Sequence, residues 1–375
     1  MKIIILGDTG ASPANVQAFR KPDPDLFSAE IQALCAEADA VLLNPEKPLT
    51  DRSSPLGKCP PDYIAPTETI NGIKLLHPTA VTLANNHIMD QRAQGLKETI
   101  HTLERNNIRY VGAGSNLEEA RKPIILTIRG SRIGIYACCE KEFSCATDTA
   151  AGANVFDPLE TFDDLAALRT QCDYLIVLFH GGMQGYPYPT PYQQKACRKM
   201  CDKGADLVVC QHSHIIGCEE KYRDSLIVYG QGNLLLDDVD SESWRNGIIL
   251  SVTIDADVQS TEIIPTKVTN HKVVIHPDGE AIRQSYYARS KEITDSRFVE
   301  KSFADYCRDK LPDYLLKLSG VGSLRRRIIS KLKMQKLILR KYHSSELYYI
   351  LDYFYCDSHR EAIGKSIEDR TENKN

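Results

Sequence analysis

The sequence predicts an α/β layered domain built on a mixed sheet and followed by a helical C-terminal region. Two patterns carry this. Over the first 240 residues, short apolar runs that end in polar or glycine residues alternate with helical spacing, as in layered α/β domains. After "PDGE" (277–280) the β pattern stops, and helical spacing runs from 297 to 368. The boundaries expected are a domain over 1–280 and a helical region over 281–375.

Taken in order, the buried strands expected are "KIIIL" (2–6), "AVLLN" (40–44), "AVTLANN" (80–86), "IRYVGAG" (108–114), "YLIVLFHGG" (174–182), "DLVVCQHSH" (206–214) and "SLIVYGQGN" (225–233). Helical segments sit near 26–38, 92–106, 158–170 and 190–203. "PIILTIRG" and "SRIGIYACC" (123–139) read as a hairpin over Gly130 and Ser131, and alternating segments from 247 to 276 supply further antiparallel strands. Such a sheet is mixed. Farther on, 325–341 holds eight Lys or Arg and no acid, with Ile328, Leu332 and Leu339 on one face of the predicted helix. A basic amphipathic helix of this kind either lies on an anionic membrane or a partner, or packs on its domain with a solvated basic face.

Composition narrows the class. Hydrophobic residues at 42% and charged residues at 26% are the balance of a globular protein, and the net charge of -4 argues against nucleic acid as the main partner. The apolar start is too short for an export signal, and no stretch is long enough to span a membrane. The twelve cysteines are scattered, so they are read as reduced thiols, and residence is expected in the cytoplasm, with peripheral contact at the inner membrane through 324–341.

Polar groups that can hold metals or move protons stand at the ends of five apolar runs: Asp8; Asn44 with Glu46; Asn86 with His87; His180; and His212 with His214. Sites in open α/β sheets form at the carboxyl ends of strands, so these positions are expected to share one rim. Carboxylates, neutral imidazoles and an amide oxygen on rigid strand ends suit a hydrolytic centre for divalent cations, with Mn, Fe or Zn fitting the imidazole and carboxylate mixture. The loop "HGGMQGYPYPTPYQ" (180–193) carries Tyr186, Tyr188 and Tyr192, which either line a substrate groove or pack the loop.

The ordered series "GD" (7–8), "NPEKPL" (44–49), "LANNHIMD" (83–90), "VGAG" (111–114), "HGG" (180–182), "GADLVVCQHSH" (204–214) and "VYGQGN" (228–233) resembles the bacterial capsule synthesis, poly-γ-glutamate (CapA/PGA_cap) family, which is similar to calcineurin-like metallophosphoesterases. The resemblance covers roughly residues 1–255. It implies a four-layer α-β-β-α sandwich with two divalent metal ions at the sheet rims. Asp8, Glu46, Asn86, His180, His212 and His214 are the implied ligands, with Glu46 shared. His87 is the implied general acid, Asp90 the group that fixes its tautomer, and Asn44 a ligand or an amide orienting Glu46. Where the wider metallophosphatases carry Asp-x-His, Asp8 is followed by Thr9 and Gly10, so one metal position has lost an imidazole.

The function expected is a metal-dependent hydrolase that makes or trims a surface polymer such as poly-γ-glutamate or capsular polysaccharide. Its substrate would be a polyanionic polymer or a phosphoester, and its partners capsule-synthesis proteins. A second reading, from another class, is a non-catalytic polymer-binding or assembly subunit on the same fold. His87 separates the two, because only an enzyme should lose turnover without it.

Overall fold

The structure, a computed structural model, describes residues 1–58, 61–239, 241–255 and 258–372. The last residues of the polar tail "EDRTENKN" and Cys59 lie outside the described residues. Strands follow as β1 (Lys2–Thr9), β2 (Ala40–Pro45), β3 (Ala80–Thr82), β4 (Arg109–Val111), β5 (Ala113–Gly114), β6 (Ile124–Ile128), β7 (Ser131–Cys139) and β8 (Gly152–Ala153). Next come β9 (Tyr174–His180), β10 (Leu207–Gln211), β11 (Glu219–Tyr222), β12 (Ser225–Val228), β13 (Asn233–Leu235), β14 (Asn246–Asp255), β15 (Val258–Thr269) and β16 (Lys272–Ile275). One sheet runs β16-β15-β14-β1-β2-β3-β4 with β13 also paired to β1, and a second runs β11-β12-β10-β9-β7-β6. Both mix parallel and antiparallel pairs.

The near-continuous apolar runs are explained by burial on both faces. In β9, Tyr174, Ile176 and Leu178 point into the core shared with the first sheet, while Leu175, Val177 and Phe179 point outward under helices Thr161–Arg169 and Pro191–Asp202, which add Leu165, Leu168, Cys197 and Met200. Helices Ala29–Ala36 and Arg92–Arg105 bury Ile31, Cys35, Leu96 and Leu103 in the larger core with the first sheet. The result is the helix-sheet-sheet-helix layering that the family resemblance implied. The period of two also directs the rim: His180 continues the inward set of β9, and Gln211 continues Leu207 and Val209 of β10.

Two buried glutamines join the sheets. The Gln211 amide donates to Leu6 O at 3.1 Å and to Gln231 Oε1 at 3.0 Å, and the Gln231 amide donates to Ile5 O at 3.0 Å. Leucine at 231 would leave buried acceptors unpaired beside the site. Gln231→Leu is therefore expected to lower unfolding stability by about 1–3 kcal/mol, read as a shifted denaturant midpoint.

Several expectations are corrected. The run 225–233 is not one strand: Gly230 and Gly232 adopt φ of 152° and 67°, and the chain leaves β12 in the second sheet to place β13 beside β1 in the first. The hairpin turns over Arg129 and Gly130, both at positive φ, one residue earlier than expected. The chain forms two compact units, 1–299 and 300–375. The helix Gly279–Glu292 belongs to the first and caps the edge strand β11. Tyr286 is fully buried with its hydroxyl donating to Glu219, and Arg289 donates to Gly217 O and Ile216 O.

The second unit, 300–375, is helical in its described part and has a small core of Leu315, Leu316 and Ile338. The helix expected across 324–341 is broken. An α-helix, Ser323–Lys331, ends near Lys333 at φ 54°, and a 3₁₀ stretch, Gln335–Lys341, follows.

Candidate metal centre

A register shift between Ile5 and Asp8 bends the end of β1 and sets Asp8 opposite Asn44 of β2 and Asn233 of β13. Asp8 Oδ1 accepts from the Asn44 amide at 2.8 Å, and Asp8 Oδ2 accepts from the backbone N–H of His212 at 3.1 Å. That second bond crosses from one sheet to the other. It forms because His212 and His214 both adopt positive φ, 87° and 57°, in the turn after β10. Non-glycine residues hold such conformations where surrounding contacts enforce them, often at functional sites. Asn44, expected as a ligand or as an amide orienting Glu46, donates to Asp8, while its carbonyl accepts from Asn85 at 2.9 Å.

Two groups of ligand atoms result, Glu46–His180–His212 and Asp8–Glu46–His214, each with its atoms within 4.8 Å of one another and every member buried. Glu46 belongs to both. Its Oε1 lies 3.6 Å from His180 Nε2 and 3.7 Å from His214 Nε2. His180 Nε2 stands 3.1 Å from Asn86 Oδ1 and 3.1 Å from His212 Nδ1. His214 Nδ1 lies 2.9 Å from Asn233 Oδ1, so the ring proton belongs on Nδ1 and the Nε2 lone pair faces Glu46. The Trp244 indole stacks on the same ring at 4.2 Å.

Electrostatics show what this cluster lacks. Among the described residues, neither Glu46 oxygen has a hydrogen-bond partner although both are buried. Burial first, and then the Asp8 charge, hold the Glu46 carboxyl well above its ordinary range, and burial likewise raises Asp8. Burial keeps the imidazoles neutral, lowering His180 well below its usual value and His212 to about 3. Carboxylates that resist ionisation beside imidazoles that resist protonation are a donor set short of positive charge. Divalent cations fit it.

Metal binding then competes with protons on the raised Glu46 and Asp8 carboxyls, and the lowered ligand imidazoles compete little. Affinity is expected to rise with pH up through the raised carboxyl range, by up to about tenfold per unit for each proton released. Titration calorimetry in two buffers of different ionisation enthalpy measures that release.

The expected acid sits on the rim. His87 Nδ1 lies 2.7 Å from Asp90 Oδ2, and its Nε2 faces Glu46 Oε1 at 4.0 Å. Two residues that sequence reasoning missed complete this edge. Lys58 Nζ is 2.6 Å from Asp90 Oδ1 and donates to Asn86 O at 2.8 Å, with its side chain 4% exposed. Glu142 accepts from the Asn86 amide at 3.3 Å and lies 3.6 Å from His212 Nε2. Both occupy loops without hydrophobic period; "NNHIMD" announced a partner for His87 but nothing announced one for Asp90. Among the loop tyrosines, Tyr186 is buried and Tyr188 packs on Phe298 with its hydroxyl on Glu292, while Tyr192 is exposed.

The missing imidazole also has a structural reason. A Cβ at Gly10 would fall 2.9 Å from Cγ of Lys47, whose ammonium is held by Ala11 O at 2.8 Å and Asp238 at 2.5 Å. Gly10→His is therefore expected to lower the melting temperature without raising metal content, a pair of readouts that thermal scanning and elemental analysis give together.

A family model described as bacterial capsule synthesis protein PGA_cap matches residues 2–238. "Capsule biosynthesis protein CapA" of Bacillus anthracis is 27% identical over 179 residues, 46% of this chain and 44% of that protein. "PGA biosynthesis protein CapA" of Bacillus subtilis is 29% identical over 174 residues, 45% of this chain and 46% of that protein. A "probable polyglutamine synthesis accessory protein" of Mycobacterium tuberculosis is 28% identical over 257 residues, 63% of this chain and 67% of that protein. The matches span less than half the length of the two CapA proteins. The matched region, which carries every member of both ligand clusters, establishes that the chain belongs to the bacterial capsule synthesis protein PGA_cap family.

Proposed function

We propose that the chain is a two-metal hydrolase that cleaves a phosphoester or a γ-glutamyl linkage in the making or trimming of a capsule polymer. The observation that carries the hydrolytic reading is the partnerless Glu46 carboxylate, set between two ligand clusters and faced by His87. The polymer rests on the family and on the relatives' names. Asp8, Glu46 and His214 would hold one cation; Glu46, Asn86, His180 and His212 would hold the other. Such a pair, when bound, supplies a hydroxide nucleophile at neutral pH and neutralises charge on the attacked group.

The chain's own residues do the rest. Asp90 fixes the His87 ring so that Nε2 points at the cluster, and a proton held there passes to the departing oxygen or nitrogen. Lys58 pins Asp90 from the other side, and the Asn86 main chain is tied to the same ammonium, so acid and ligand move as one unit. Asn44 and the His212 N–H hold Asp8 in place.

Assays with nitrophenyl phosphate mono- and diesters and with γ-glutamyl peptides, run before and after metal stripping by chelator, test this. Turnover that vanishes with the metal and returns with Mn or Zn is expected. Tight metal binding with no cleavage of any of these, nor of poly-γ-glutamate followed by size exclusion, would transfer the assignment to a polymer-binding subunit.

A further inference from the structure

We infer that the segment 323–341 of the C-terminal unit is a docking surface for a bilayer containing anionic phospholipid. In the helix Ser323–Lys331, Ile329 turns toward the small core of Leu315, Leu316 and Ile338. Leu324, Ile328 and Leu332 follow at intervals of four, which places them in one stripe on a different side. Their exposures are 71, 50 and 61%. At 100° per residue, Arg327 and Lys331 border that stripe on one flank and Arg325 on the other, an arrangement in which long basic side chains lay their stems on an apolar surface and raise their charges to the headgroups.

Charge is on the page as well. Eight Lys or Arg lie between 325 and 341 with no acid, and among the described residues none of the eight is ion-paired. The helix Ser344–Tyr355 leaves Tyr348, Tyr349 and Phe354 at 72, 66 and 55% exposure, side chains of the type that settles at the membrane-water boundary. No described helix is long and apolar enough to cross a membrane, so the contact lies in the plane of the interface.

Two other occupants account for less. A soluble polyanion would satisfy the charges and leave the leucine and isoleucine stripe in water. A second copy would bury the stripe by bringing eight unpaired cations against eight more. An anionic bilayer takes both features at once.

The test is co-sedimentation of the full chain with vesicles of phosphatidylcholine alone or with about 30 mol % phosphatidylglycerol. Binding is expected on the anionic vesicles, little on the neutral ones, and a steep fall as salt rises. The triple variant Arg325→Gln, Arg327→Gln, Lys331→Gln is expected to weaken partitioning about a hundred-fold, roughly five-fold per charge. Leu324→Ser, Ile328→Ser, Leu332→Ser is expected to abolish the binding that survives moderate salt. Both variants change exposed side chains and should keep wild-type melting and metal content, which separates lost docking from lost folding. Equal binding to neutral vesicles, or none to either, overturns the inference. So does a wild type that captures soluble polyglutamate but no vesicles, or one that self-associates through the stripe, as the Ser variant shows, in place of binding vesicles.

Discussion

Glu46→Gln is expected to lower metal content to below one equivalent and to cut hydrolysis by on the order of 10³-fold. One oxygen of this carboxylate stands within 4 Å of ring nitrogens of His87, His180 and His214, and the residue belongs to both ligand clusters. Loss of a residue that merely orients a metal ligand typically costs about 10–100-fold in affinity, so loss of the shared ligand should exceed about 100-fold. The same change has an opposite effect on the metal-free protein. Burial raises the folded-state carboxyl above its unfolded value, so the folded form binds the proton more tightly, and the metal-free fold loses stability as pH rises through that raised range. The amide never ionises and escapes the loss. Glu46→Gln should therefore melt higher than wild type after chelator treatment at pH about 8, by an amount that vanishes at pH about 4 where both side chains are neutral. A variant that loses metal yet gains metal-free stability is hard to obtain by general damage.

The second large effect is His87→Ala, expected to reduce turnover about 10²–10⁴-fold while two metal equivalents remain. His87 approaches the cluster at 4.0 Å from Glu46, and its neighbours include Asp90 and the Tyr63 ring, 4.5 Å away between centroids. Substrates with good leaving groups should suffer less than those with poor ones, because the proton matters most where the departing atom is basic. A uniform loss across leaving groups would deny His87 the role of acid.

The strand-borne part of this site was legible because strand chemistry is periodic. Apolar runs such as "KIIIL" and "YLIVLF" read as strands buried on both faces, which places a polar residue at their carboxyl end at the rim. Asp8 and His180 follow from that. The loop-borne part was not legible. Lys58 and Asp90 are 32 positions apart, and neither has a neighbour in sequence that implies the other. The helix Gly279–Glu292 buries Tyr286 alone among its residues, so it shows no amphipathic period, and its hold on β11 comes from the Tyr286 hydroxyl donating to Glu219 and the Glu219 N–H donating to Ser290, with Arg289 bonded just before the strand. Lys333 breaks the basic helix without glycine or proline to announce it.

Metal stoichiometry on purified protein tests the central claim most directly, measured by elemental analysis of wild type beside the His212→Ala, His214→Ala double variant. The account predicts close to two divalent equivalents in wild type after loading with Mn or Zn, reduced to less than one in the double variant. Wild type that retains no metal under those conditions, with the fold intact by circular dichroism, would contradict it.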